Sequence, residues 1–393
     1  MKNKKGFWQG ALCGALAMLL VAGLVSCGLK VNSGNSKIDM DAVEKKLGVI
    51  QYLIEEKYLN EVDEDALEEG IYEGYVAGLG DPYSVYYDEE NTEALLETTS
   101  GEYSGIGAVL TQAVDTGVIT LVRIYKGSPA MKAGLKDGDI LYKVGDLEVT
   151  GIDLSEVVTH IKGEKKTEVE LTVLRGENNE EITVTAVRDT IEVETVEYKM
   201  LENQIGYISI SEFDAVTDKQ YEEALNELEK QGMSGLVVDL RNNPGGNLDV
   251  VCNILDLMLP EGMIVYTQDR DGNRDEHKSD EEHQFTKPLT VLVNGNSASA
   301  SEIYAGAIQD YKLGDIVGTQ TYGKGVVQQL FDLKDGTCLK LTISEYFTPN
   351  GRNIHGEGIT PDVQCEYQYD EKNPEKDNQL EKAIKVLEEK IKE

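Results

Sequence analysis

From Ile205 onward the chain alternates short apolar runs with amphipathic stretches, and that alternation leaves few architectures open. "IGYISI" (205–210), "GLVVDL" (235–240) and "LTVLVNG" (289–295) have the composition of strands, the latter two of buried ones. Helical periodicity fills the gaps, over Asp218–Gln231 and Leu248–Leu259. Strands and helices in strict turn predict an α/β domain in which helices cover a sheet. A different texture precedes it. Between residues 101 and 188, "AVLTQ", "VITLVRI" and "EVELTVLR" read as strands and "LSEVVTHIKG" as one helix. With 393 residues there is room for both modules and more.

The ends are helical. Val43, Leu47, Ile50 and Ile54 form a stripe over Asp41–Tyr58, and a second helix over Leu67–Leu79 stops at "GLGDPY". Leu380, Ile384, Leu387 and Ile391 repeat the pattern near the C-terminus. Both stripes step by four, three and four. They are read either as seams joining two copies in a homodimer or as faces docked on their own domains. The chain therefore divides into 1–26, a linker 27–38, a helical region 39–100, the strand-rich module 101–188, the α/β core 189–368 and a terminal helix 369–393.

Residues 1–26 carry an address. "MKNKK" is a basic leader and Ala11–Ser26 is largely apolar. "LVSCG" resembles a bacterial lipoprotein lipobox, which implies a lipidated Cys27; the alternative is an uncleaved anchor helix over Phe7–Val25. Either reading tethers the body to the extracytoplasmic face of the cell membrane. Asp and Glu number 72 against 37 Lys and Arg, a formal charge of -35, which excludes nucleic acid as a partner. Cys252, Cys338 and Cys365 are odd in number and form no CxxC pair, so free buried thiols are expected rather than a disulfide framework or a zinc site. No metal or other cofactor is expected.

In the strand-rich module, "YSGIGAVL" precedes "GSPAMKAGLKDGDILYKVGDLEVTG". Gly105 and Gly107 let the amides around Ile106 converge into a cradle for a carboxylate, and the strand from Ala108 offers an edge to an extended peptide. Together these runs resemble a PDZ domain, with Gly105, Ile106 and Gly107 as its peptide-binding residues.

Three further runs carry chemistry. "NGNSASASEI" places Ser297, Ser299 and Ser301 in alternate positions before a helix. "SASE" fits a Ser-x-x-Glu capping box, yet a serine at a helix start also lies beside free amides that favour developing negative charge. The four histidines, His160, His277, His283 and His355, sit in no catalytic motif. "TYGKGVVQQ" offers Lys324 between two glycines, a base if burial makes it neutral, and Gln328 to direct it. "DLRNNPGGNL" offers amides at Gly245 and Gly246 unobstructed by side chains.

"DLRNNPGG", "NSASASEI", "TYGKGVVQ" and "YFTPNGRNIHGEGITPD", in this order behind a PDZ-like module, resemble the carboxyl-terminal processing peptidases, the tail-specific serine proteases of family S41. The resemblance implies a multidomain α+β chain with a PDZ-like β-barrel domain, a ClpP/crotonase-like α/β protease core and helical terminal segments. It implies a Ser-Lys dyad, with Ser299 as nucleophile, Lys324 as general base and Gln328 orienting it. Oxyanion amides would come from Ala300 and the Gly245-Gly246 turn. Substrates would be proteins or peptides with free C-termini. The competing readings are a non-catalytic tail-binding adaptor on a protease-like core and a crotonase-like acyl-CoA enzyme.

Overall fold

Gly235–Asp239 and Leu289–Val293 are buried at every position, as central strands covered on both faces must be. They lie in the middle of a six-stranded sheet ordered Val196–Met200, Ile205–Ile210, Gly235–Asp239, Leu289–Val293, Gly314–Gly318, Val363–Gln364. Only the first pair is antiparallel; the rest run parallel. This is a computed structural model, and it describes residues 37–392 apart from 177 and 281. The leader, Cys27 and most of the linker fall outside the described residues. Among the described residues no helix is long and apolar enough to cross a membrane.

Successive strand residues face opposite layers. Ile208, Val238, Val291 and Ile316 pack with Tyr221, Leu255, Tyr304 and Ile308 from the helices Thr217–Lys230, Leu248–Asp256 and Ala300–Tyr311. Ile205, Val237, Leu292 and Val317 face the other way, where Ala383 and Leu387 of the C-terminal helix Asn378–Ile391 cover them. Leu380, Ile384 and Leu387 of the C-terminal stripe are thus packed against its own sheet, Leu387 alone contributing about 2 kcal/mol of apolar burial. Arg241 fastens the same helix by donating to Asp377, its N-cap, at 2.7 Å.

A second, antiparallel sheet runs Val85–Tyr87, Cys338–Phe347, Gly262–Asp269, Arg274–Ser279, with Val326–Asp332 also paired to Cys338–Phe347. The charged stretch around His277 is its edge strand. Cys252 and Cys338 are buried free thiols and Cys365 is half-buried.

The strand-rich module forms a sheet ordered Ala108–Gln112, Ile119–Ile124, Ile140–Val144, Glu168–Arg175, Glu180–Val187 around Leu121, Leu141, Val157 and Val173. Ala108–Gln112 ends this sheet, so its outer edge is free of any strand among the described residues. The module is entered through Glu102–Gly105 and left through Asp189–Glu192, and those two segments pair antiparallel.

The described residues cluster into two units, divided between Glu68 and Glu69. The first contains the helix Met40–Lys57, capped by Asp39 and without a buried residue. The sheets and helices named before it belong to the second.

Candidate active site

The strand Leu289–Val293 delivers the three serines to the edge of the core, and packing separates their roles. Ser297 is fully buried; its hydroxyl donates to Leu240 O at 2.8 Å and accepts from Asn294 N–H at 2.9 Å. Ser301, equally buried, donates to Asn243 O at 3.0 Å. Both hydroxyls are committed to the backbone. Ser299 between them is only half-buried and adopts φ 55°, ψ -115°, a left-handed conformation that costs a non-glycine residue about 1–3 kcal/mol. Its surroundings hold it there. Tyr346 donates its phenol to Ser299 O at 3.1 Å, and Ser299 N–H donates to Glu302 Oε2 at 2.9 Å within a capping box.

The turn after Gly235–Asp239 closes against this serine. Buried Asn243 donates to Ile210 O at 2.9 Å, and its Oδ1 accepts from Gly245 N–H at 2.8 Å. Gly245 has φ 108°, and a Cβ there would lie 2.7 Å from Ser299 Cβ and 2.9 Å from Ala300 N, so no side chain fits. Phe213 clamps the turn through Gly245 O and Asn247 N–H. Those bonds leave the N–H groups of Gly246 and Ala300 without an acceptor among the described residues. Two free amides therefore flank Ser299.

Lys324 arrives from the other side on the segment between Gly318 and Val326. The fully buried Glu302 carboxylate ties this segment to the serine. Oε1 accepts from Thr321 Oγ1 at 2.6 Å and Gly323 N–H at 2.7 Å, while Oε2 accepts from Lys324 N–H at 2.9 Å as well as from Ser299 N–H. Each carboxylate oxygen thus accepts two of these four bonds. Burial holds the Lys324 ammonium below the usual lysine range, with Lys340 adding to the effect against Asp81 and Glu302. Gln328 follows a register shift between Val327 and Gln328, and its Nε2 donates to Thr342 Oγ1 at 3.3 Å. Lys324 Nζ lies 5.0 Å from the ring centroid of Tyr83, and no hydrogen bond joins it to Ser299 or Gln328 among the described residues.

Sequence reasoning missed three contributors. Tyr83 stood inside a turn signal, Tyr346 in an ordinary strand, and Glu302 had a sequence signal only as a capping residue. No group of three or more His, Cys, Asp or Glu is placed to hold a metal among the described residues.

At the second site, Ile106 O accepts from Ala130 N–H at 2.8 Å and Gly107 O from Tyr125 N–H at 3.0 Å. The N–H groups of Ile106 and Gly107 have no acceptor among the described residues. Gly107 has φ 73°, and a Cβ there would sit 2.5 Å from Ser128 Cβ. A groove of about 170 Å³ runs from these residues between Leu110 and the helix residues Leu154 and Val158, with Lys162 at its border.

The sequence model described as peptidase family S41 matches residues 204–365, a PDZ domain model matches 120–175, and a model of the activating protease CtpB N-terminal domain matches 26–91. The chain is 37% identical to the carboxy-terminal processing protease CtpA of Bacillus subtilis, over 90% of its own length and 74% of the relative's. The chain belongs to peptidase family S41. A probable CtpA-like serine protease of Staphylococcus aureus is 36% identical over 88% of this chain and 69% of that one. The solved photosystem II D1 C-terminal processing protease is 30% identical, covering 81% of this chain and 86% of its own, with a TM-score of 0.48. This S41 peptidase is accordingly a carboxyl-terminal processing serine protease with a PDZ domain, and mixed helix and sheet content agrees with the fold expected from sequence.

Proposed function

We propose that this S41 peptidase is an endopeptidase in which Ser299 and Lys324 act as a dyad. It cleaves extracytoplasmic proteins near C-terminal tails that the PDZ domain holds. The single observation carrying this reading is that Ser299, alone of the three serines, keeps a reachable hydroxyl between two free amides, with a partly desolvated lysine tethered opposite. Neutral Lys324 takes the hydroxyl proton as Ser299 Oγ bonds to the scissile carbonyl carbon. The oxyanion is received by the N–H groups of Ala300 and Gly246, while Gly245 supplies the space for close approach. The ammonium then protonates the departing amine, and water, deprotonated by the lysine in turn, releases the acyl group. Gln328 directs the amine once it leaves its resting position.

The tail is read at Gly105, Ile106 and Gly107. Two convergent amides suit a terminal carboxylate, and the free edge of Ala108–Gln112 accepts the preceding residues as an added strand. Amidating the C-terminus of a peptide substrate removes the charge and slows cleavage by about tenfold, the scissile bond being untouched. Equal kcat/KM for the free acid and the amide would leave the domain without a tail-reading role.

Membrane attachment through Cys27 is part of the same proposal, supported by the lipobox-like "LVSCG". Cys27→Ser loses metabolic lipid labelling; wild-type protein that takes up no label would favour the anchor helix instead.

A further inference from the structure

The contact above Lys324 comes from a segment that the chemistry of the dyad leaves unused. In "GDPYS", Asp81 Oδ1 accepts from Tyr83 N–H at 3.0 Å and Asp81 Oδ2 from Ser84 Oγ at 2.6 Å. Ser84 Oγ in turn accepts from Thr342 N–H at 3.0 Å, on the residue whose hydroxyl meets Gln328. Val85–Tyr87 then pairs with Cys338–Lys340. The turn is therefore fixed to the strand beside the dyad, and the Tyr83 ring has a defined place over Lys324. Lys340, whose charge also acts on Lys324, is drawn to Tyr87 of the same segment, its Nζ 2.7 Å from the phenol oxygen.

An aromatic face attracts an ammonium and has no comparable hold on a neutral amine. Burial and the charge of Lys340 push Lys324 toward the neutral form; the ring opposes them. Asp81 and Glu302 also face the amine, Tyr322 lies beside Tyr83, and His355 lies beside Asp81. None of these bonds to the Lys324 side chain. We propose that Tyr83 is a positioning residue for the base: its ring holds the Lys324 ammonium parked away from Ser299 and restrains the peptidase at rest. Loss of the proton releases the amine toward the serine. The inference rests on the Ser299–Lys324 reading above.

The test is the pH dependence of kcat/KM on a free-acid peptide for the full chain and its Tyr83 variants. Tyr83→Leu keeps an apolar cover and removes the ring face. Its ascending limb moves to lower pH and its rate at neutral pH rises about fivefold, while Tyr83→Phe, which keeps the face, returns the wild-type profile. Tyr83→Met repeats the shift should the leucine variant melt early. A ringless variant that melts like wild type yet shows an unmoved limb overturns the proposal, whether its rate is equal or lower. So does a phenylalanine variant that behaves like leucine. Lys324→Ala in the same assay separates the two levels. Turnover without Lys324 defeats the dyad, whereas an inactive Lys324→Ala leaves the Tyr83 profiles to judge the parking alone.

Discussion

Ser299→Ala abolishes peptide hydrolysis, with kcat falling by on the order of 10⁶, while Ser297→Ala and Ser301→Ala remain active. The contrast follows from where each hydroxyl is spent. Ser297 and Ser301 hold Leu240 O, Asn294 N–H and Asn243 O inside the core. Removing the Ser297 hydroxyl leaves Asn294 N–H without its acceptor, at a cost of about 1–3 kcal/mol in stability, whereas Asn243 O keeps the Ala298 N–H when Ser301 is truncated, so that change costs about 1 kcal/mol. Ser299 contributes little to that scaffold beyond its place at the helix start, so its loss costs about 1 kcal/mol of fold. Activity and melting should therefore separate cleanly across the three variants. An inactive Ser301→Ala beside an active Ser299→Ala would move the nucleophile.

Lys324→Arg likewise removes turnover, by on the order of 10⁴ in kcat, although the charge is kept. A guanidinium does not give up its proton in this pH range and cannot receive the one from Ser299. In the wild type, burial disfavours the ammonium, so the neutral base accumulates at a pH below that of an ordinary lysine. The rate accordingly rises with pH, through a limb displaced downward from the usual lysine range. Replacing His160, His277, His283 and His355 together leaves substantial turnover. His160, His283 and His355 are exposed, and none of the four hydrogen-bonds Ser299 or Lys324. An active arginine variant would require another base.

Much of the core was legible because its strands obey local rules. "EVELTVLR" forms the strand Glu168–Arg175 and "IGYISI" the strand Ile205–Ile210, each residue for residue. The second sheet was harder. Arg274–Ser279 reads as solvated charge because it is an edge strand whose pairing, not its composition, makes it extended. At the site, periodicity could find the helix after the serines but could not choose among them; the choice came from family resemblance. What distinguishes Ser299 is tertiary, namely which backbone oxygens claim its neighbours. Glu302 shows the same limit. Its capping partner lies three residues away and was visible, whereas Thr321, Gly323 and Lys324 reach it only once the chain has folded. Tyr83, remote in sequence from every catalytic run, was visible only as part of a turn.

The pairing of Glu102–Gly105 with Asp189–Glu192 has a topological consequence. Gly105 and Asp189 are direct neighbours across the ribbon, so the whole intervening domain is, to the rest of the chain, a loop whose ends already touch. Its length then adds little to the entropy of closing the core, since closure cost grows only with the logarithm of loop size. A domain attached in this way can be gained, exchanged or lost without cutting a core strand. It is also joined to the core by two paired strands at once, so any displacement at its outer edge is carried out through both legs of one ribbon. One leg leads back to Glu89–Ser100, the other on to Val196–Met200 at the border of the catalytic sheet.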